Sequence, residues 1–123
     1  LPDPICHASM LRLSWPEEGQ PGALLFCNCA NADEGAAKKK AKGLIRYNWS
    51  DDARKDLTVR VSLDEGNSFS RGTRIAKKGG YSDMAATADA RTVVAVFETG
   101  WDDDSCIFPR QLAYAALDRE TIA

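Results

Sequence analysis

Arg54-Lys-Asp-Leu-Thr-Val-Arg-Val-Ser-Leu-Asp-Glu-Gly-Asn-Ser-Phe69 is the stretch from which the fold is read. Leu57, Val59 and Val61 alternate with Thr58, Arg60 and Ser62, the period of two expected of a strand with one buried face. The strand runs straight into Ser62-Leu63-Asp64-Glu65-Gly66-Asn67-Ser68-Phe69, which has the form S-x-D-x-G-x-[ST]-[FW]. In a tight turn of this kind an Asp carboxylate bonds backbone N–H groups and glycine supplies positive φ. The closing aromatic packs back under the loop. Arg54 stands just before the strand, at the end away from the turn.

Outward from this stretch the chain repeats the same grammar. Residues 8–13 alternate as a strand, and 15–22 (Trp-Pro-Glu-Glu-Gly-Gln-Pro-Gly) are dense in turn formers. Residues 23–27 form a continuous apolar run, which fits a strand buried on both faces. Residues 28–50 read as a long polar insertion carrying Lys38, Lys39, Lys40 and Lys42. Within it 36–42 favours a short helix and 44–47 a short strand, and the lysines read as a solvated loop face. Beyond the turn, 74–76 is a return strand, and 77–80 is a loop that delivers Tyr81, Ser82 and Asp83. Strands over 84–88 and 92–97 flank a turn at 89–91, the second ending at Glu98, and a last strand covers 111–117. Asp102, Asp103 and Asp104 sit in a loop. Short strands punctuated by turn signals, with almost no helical periodicity, predict an all-β fold.

Composition narrows the function classes. The chain has 123 residues, 44% hydrophobic and 28% charged, ordinary values for one globular domain. Lys and Arg number 16 against 18 Asp and Glu, a formal net charge of −2, without the basic excess of a nucleic-acid binder. No apolar run approaches the ~20 residues that span a membrane, and no signal-peptide pattern opens the chain. Cys27 and Cys29 share one strand face and are too near in sequence for an easy mutual disulfide. Cys6 or Cys106 can bridge to one of them if the strands bring them together. His7, the single histidine, follows Cys6, but Cys-His with a distant C-x-C is not a zinc spacing, so no metal and no cofactor are expected. Asn48-Trp49-Ser50 is a glycosylation sequon should the chain be exported in a eukaryote.

Periodicity leaves Arg54, Tyr81 and Glu98 unexplained, each at a strand end or in a loop, where sites on β scaffolds are commonly built. Their context carries a resemblance. C-x-A-S at 6–9, L-L-F at 24–26, R-x-D-L at 54–57, the turn at 62–69, G-Y-S-D at 80–83 and Phe97-Glu98 occur in an order similar to the C-terminal third of an exo-α-sialidase. The turn motif resembles the Asp box of sialidases and related propellers, which also recurs in non-catalytic members. The match covers nearly the whole chain. Phe69 stands for the commoner Trp and Phe97 for the commoner Tyr, which keeps the apolar packing.

The resemblance implies a partial six-bladed β-propeller, with residues 1–123 supplying about two to three blades and the N-terminal blades lying elsewhere. It implies a retaining glycosidase acting on terminal sialic acids of glycans. Arg54 matches the third arginine that clamps the substrate carboxylate, Tyr81 the nucleophile, and Glu98 the acid that orients the first arginine. Ser62, Asp64, Gly66 and Phe69 match the structural Asp box. A planar guanidinium suits a carboxylate through paired, charge-assisted hydrogen bonds. Tyrosine replaces the usual carboxylate nucleophile in sialidases, where a second anion would be repelled by the carboxylate on the anomeric carbon. A phenol, with a reference pKa near 10, needs a neighbouring base to attack. The family's other two arginines, its acid/base aspartate and its activating glutamate match nothing here, so the chain alone is expected to be inactive. The alternative is a non-catalytic Asp-box propeller that binds carbohydrate or mediates adhesion. Secreted, periplasmic and lysosomal locations all remain open.

Overall fold

The alternating segments become strands that pair with their sequence neighbours. The computed structural model describes residues 6–30, 54–100, 109 and 111–122. Among these residues the elements are β1 (Ser9–Ser14), β2 (Ala23–Cys29), β3 (Lys55–Ser62), β4 (Thr73–Lys78), β5 (Ser82–Ala86), β6 (Thr92–Thr99) and β7 (Gln111–Asp118). A single helical turn, α1 (Arg119–Ile122), follows. The fold is all-β, with two antiparallel sheets ordered β1-β2-β3-β4 and β5-β6-β7. The expected helix over 36–42, the strand over 44–47, the sequon, the triple-aspartate loop and Cys106 lie outside the described residues. No helix among the described residues is long and apolar enough to cross a membrane.

Register decides which residues meet. Leu25 pairs with Val61, Cys27 with Val59 and Cys29 with Leu57, so one face of the first sheet is an apolar ladder. The second sheet matches it with Val93, Ala95 and Phe97 on β6, and Met84 on β5. These side chains form one core, with Leu25, Leu57, Val59 and Val93 fully buried. β5 lies against β1 and β2 and brings the two inner faces together. At that seam the Ser9 and Ser82 hydroxyls meet at 3.2 Å, so each buried hydroxyl has a partner. α1 returns the chain to the first sheet: Ile122 is buried, and the Thr73 hydroxyl donates to the Thr121 carbonyl at 3.4 Å.

Three strands depart from the expected boundaries. β2 extends past the apolar run to Asn28 and Cys29 because both have partners across β3. Its Leu24 and Phe26 are only half-buried, so β2 is not an apolar strand sealed on both faces. Lys77 and Lys78 belong to β4 rather than to a loop, since Lys78 pairs with Lys55. β5 starts earlier and ends earlier than periodicity suggests, at Ser82 and Ala86. The outer face of the first sheet carries a buried arginine: Arg60 donates to the Asn28 side-chain oxygen at 2.9 Å, and burial lowers its pKa.

The turn after β3 is held by its own side chains. The Ser62 hydroxyl donates to the Asp64 carboxylate at 2.8 Å and accepts from the Gly66 N–H at 2.8 Å. The Asp64 carboxylate also accepts from the Ser68 N–H at 2.8 Å and the Ser68 hydroxyl at 2.5 Å. Gly66 has φ +90°, open to glycine at no steric cost. Phe69 packs on Phe26 with ring centroids 5.8 Å apart. Arg12 grips Glu65 through two contacts of 2.9 and 2.7 Å, tying β1 to the turn.

Candidate active site

The turn marks one end of β3, and Arg54 marks the other. Between the two sheets the chain crosses from β4 to β5 through Gly79, Gly80 and Tyr81, and this crossing runs past Arg54. The Gly79 N–H donates to the Arg54 carbonyl at 3.3 Å. Gly79 is required there by space: a Cβ would lie 2.8 Å from the Leu57 Cβ and 2.9 Å from its Cδ2. Next, the Gly80 N–H donates to the Glu98 carbonyl at 2.9 Å, and the Glu98 N–H donates to the Tyr81 carbonyl at 2.9 Å. The crossing is thereby zipped to the end of β6 by paired backbone bonds.

Arg54, Tyr81 and Glu98 consequently lie together, although three separate segments supply them. The Arg54 guanidinium sits 5.2 Å from the Tyr81 ring centroid, within cation–π range. The Glu98 carboxylate accepts from the Tyr81 backbone N–H at 3.1 Å. Tyr81 itself is 49% exposed, with Arg54 near its ring and Glu98 on its backbone. The cluster thus holds a cation, an anion and a phenol on one open edge. Such a set can bind an anionic ligand through Arg54 beside a hydroxyl nucleophile or hydrogen-bond donor.

Asp56 shapes the approach. It occupies the left-handed region at φ 54°, where aspartate is better tolerated than most residues. Its carbonyl accepts from the Ala30 N–H at 3.0 Å and the Thr58 hydroxyl at 2.6 Å, while its carboxylate pairs with Arg74 at 3.0 Å. The R-x-D-L order therefore places an arginine two residues before a well-anchored aspartate in the left-handed region.

The back wall of the cluster was foreseen from sequence only in part. The His7 ring packs on Tyr81 with centroids 5.4 Å apart at 50°. Behind it Cys6 and Cys29 bring their sulfurs to 3.9 Å, and the Cys29 thiol donates to the Gly79 carbonyl at 3.1 Å. The hydrogen bond from Cys29 and the nearby Arg54 charge pull the Cys6 thiol below its ordinary pKa, against burial. Cys29 is pushed the other way by its bond to Cys6 and by burial. The approach of Cys6 to Cys29 is one of the cysteine pairings that the sequence left open, whereas nothing in it placed His7 on Tyr81. Among the described residues no group of three or more His, Cys, Asp or Glu could hold a metal ion.

No family model matches the chain, and no curated protein matches it. The candidate site therefore rests on its geometry and on its motifs.

Proposed function

We propose that this chain is part of an exo-α-sialidase of the β-propeller type, contributing the nucleophile and one arm of the carboxylate clamp. One observation carries the reading: Arg54, Tyr81 and Glu98, which match family positions in motif order, meet at one open edge with Arg54 5.2 Å from the Tyr81 ring. In this reading the sheets of β1–β4 and β5–β7 are propeller blades, and the Asp-box turn lies on the side away from substrate.

The chemistry follows from the residue types. Arg54 takes the substrate carboxylate in a two-pronged, charge-assisted contact, which fixes the anomeric carbon next to Tyr81. The phenol oxygen attacks that carbon as the glycosidic bond breaks, giving a covalent tyrosyl intermediate, and water then releases the sugar with its configuration retained. The neutral phenol avoids the repulsion that a carboxylate nucleophile would meet from the substrate's own carboxylate. The nucleophile's base, the acid for the leaving group and two further arginines come from outside the matched segment.

A carbohydrate-binding propeller without catalysis is the second reading. The Asp-box turn favours it, because the scaffold built by Ser62, Asp64 and Ser68 recurs in non-catalytic propellers. Both readings are tested on a polypeptide carrying this chain, with a fluorogenic α-sialoside. The enzyme reading expects turnover that falls by on the order of 10³-fold in Tyr81→Phe. It also expects KM to rise by about tenfold in Arg54→Lys, which keeps the charge and loses the fork. Sialoside binding without turnover, unchanged by Tyr81→Phe, selects the binding module.

A further inference from the structure

Cys6 and Cys29 are placed as a pair that neither the clamp nor the nucleophile uses. Cys6 lies just ahead of β1 and is partly exposed, whereas Cys29 ends β2 and is 1% exposed. Their sulfurs are 3.9 Å apart, so a closure of about 2 Å reaches the S–S bond length. Both residues can make that approach locally: Cys6 precedes its strand, and the Cys29 thiol makes only weak hydrogen bonds, to the Gly79 carbonyl and to the Cys6 sulfur itself. Cys27, two residues back on the same face, is fully buried.

We infer that Cys6 and Cys29 form a redox-active dithiol, closing to an intramolecular disulfide by exchange with a low-molecular-weight disulfide. The closure is transmitted to the cluster through His7, which follows Cys6 and stacks on Tyr81. The exchange has two steps. The Cys6 thiolate attacks one sulfur of the small disulfide, forming a mixed disulfide and expelling one small thiolate. Cys29 then gives up its proton to solvent, and its sulfur attacks the Cys6 sulfur, expelling the second small thiolate. Two protein thiols are oxidised and one small disulfide is reduced to two thiols. The division of labour suits the environments: the accessible thiol, with its pKa lowered, attacks, and the buried thiol, with its pKa raised, resolves.

The test treats the full chain with excess oxidised glutathione, blocks free thiols with N-ethylmaleimide and maps the unreduced digest by mass spectrometry. The expected product links Cys6 to Cys29, persists in Cys27→Ala, is lost in Cys29→Ala and reverts with dithiothreitol. Maleimide on both Cys6 and Cys29 overturns the inference, as does a link from Cys6 to Cys27 or Cys106 in the unsubstituted chain. His7 is the only histidine, so its ring resonances report transmission to the cluster without assignment. They are expected to move on oxidation and return on reduction. Resonances that stay fixed while the bond forms overturn the transmission. Neither readout requires sialoside turnover, so both stand apart from the glycosidase reading.

Discussion

At the scale of single residues, the side chains that hold the fold and those that form the cluster touch one another. Leu57 is fully buried, lies under Gly79 and belongs to the strand that Arg54 precedes. Leu57→Ala is expected to destabilise the chain by about 3 kcal/mol, because the cavity lies between strand and crossing and neither can collapse freely. Urea denaturation checks it. Asp64 makes a different prediction. Its carboxyl is held below its ordinary pKa by the hydroxyl and the N–H of Ser68 and by the Ser62 hydroxyl. A depressed folded-state pKa adds stability above the unfolded value, about 3.9, and that stability is lost as pH falls through the folded value. The difference in urea midpoint between the native chain and Asp64→Asn should therefore be full near neutrality and shrink in acid. Arg54, Tyr81 and Glu98 were legible in sequence because each stands at a strand end or in a loop within a motif. His7 was not, because its contact with Tyr81 joins a residue ahead of β1 to the crossing after β4 and depends on pairing that no local pattern encodes.

At the scale of elements, the strands were read well and their ends less so. Period-two alternation located β1 and β3, and a strongly apolar run located β6, although β3 buries both faces from Leu57 to Ser62. Alternation failed at β4, where Lys77 and Lys78 look like loop residues yet continue the ladder opposite Lys55. Charged residues at a strand end escape a hydrophobicity pattern while still pairing through their backbone. The crossing at residues 79–81 is the element on which the cluster depends. Gly79→Ala forces a methyl to within 2.8 Å of the Leu57 Cβ and is expected to cost about 1–3 kcal/mol through overpacking. Because Gly80 and Tyr81 are zipped to Glu98, the same change should disturb the His7–Tyr81 contact. A moved His7 ring resonance at a temperature where the chain is still folded would show it.

At the scale of the molecule, two sheets of unequal width share one core, and α1 closes the join. Ile122 is 3% exposed although it lies one residue from the end of the sequence. Ile122→Ala is expected to cost about 2–4 kcal/mol, with a lowered thermal midpoint as the readout, whereas Tyr114→Ser, at a position 73% exposed, should change stability by less than about 0.5 kcal/mol. The all-β class followed from sequence, but the mating of the two sheets did not, because apolar faces attract without direction. The Ser9–Ser82 contact has the direction that the surrounding contacts lack. A hydroxyl pair 3.2 Å apart tolerates little sliding, so a shift of one sheet over the other by a single residue would strand two buried oxygens among carbon. This pair acts as a vernier mark between the sheets, and by setting their alignment it also sets the separation of Arg54 from Glu98.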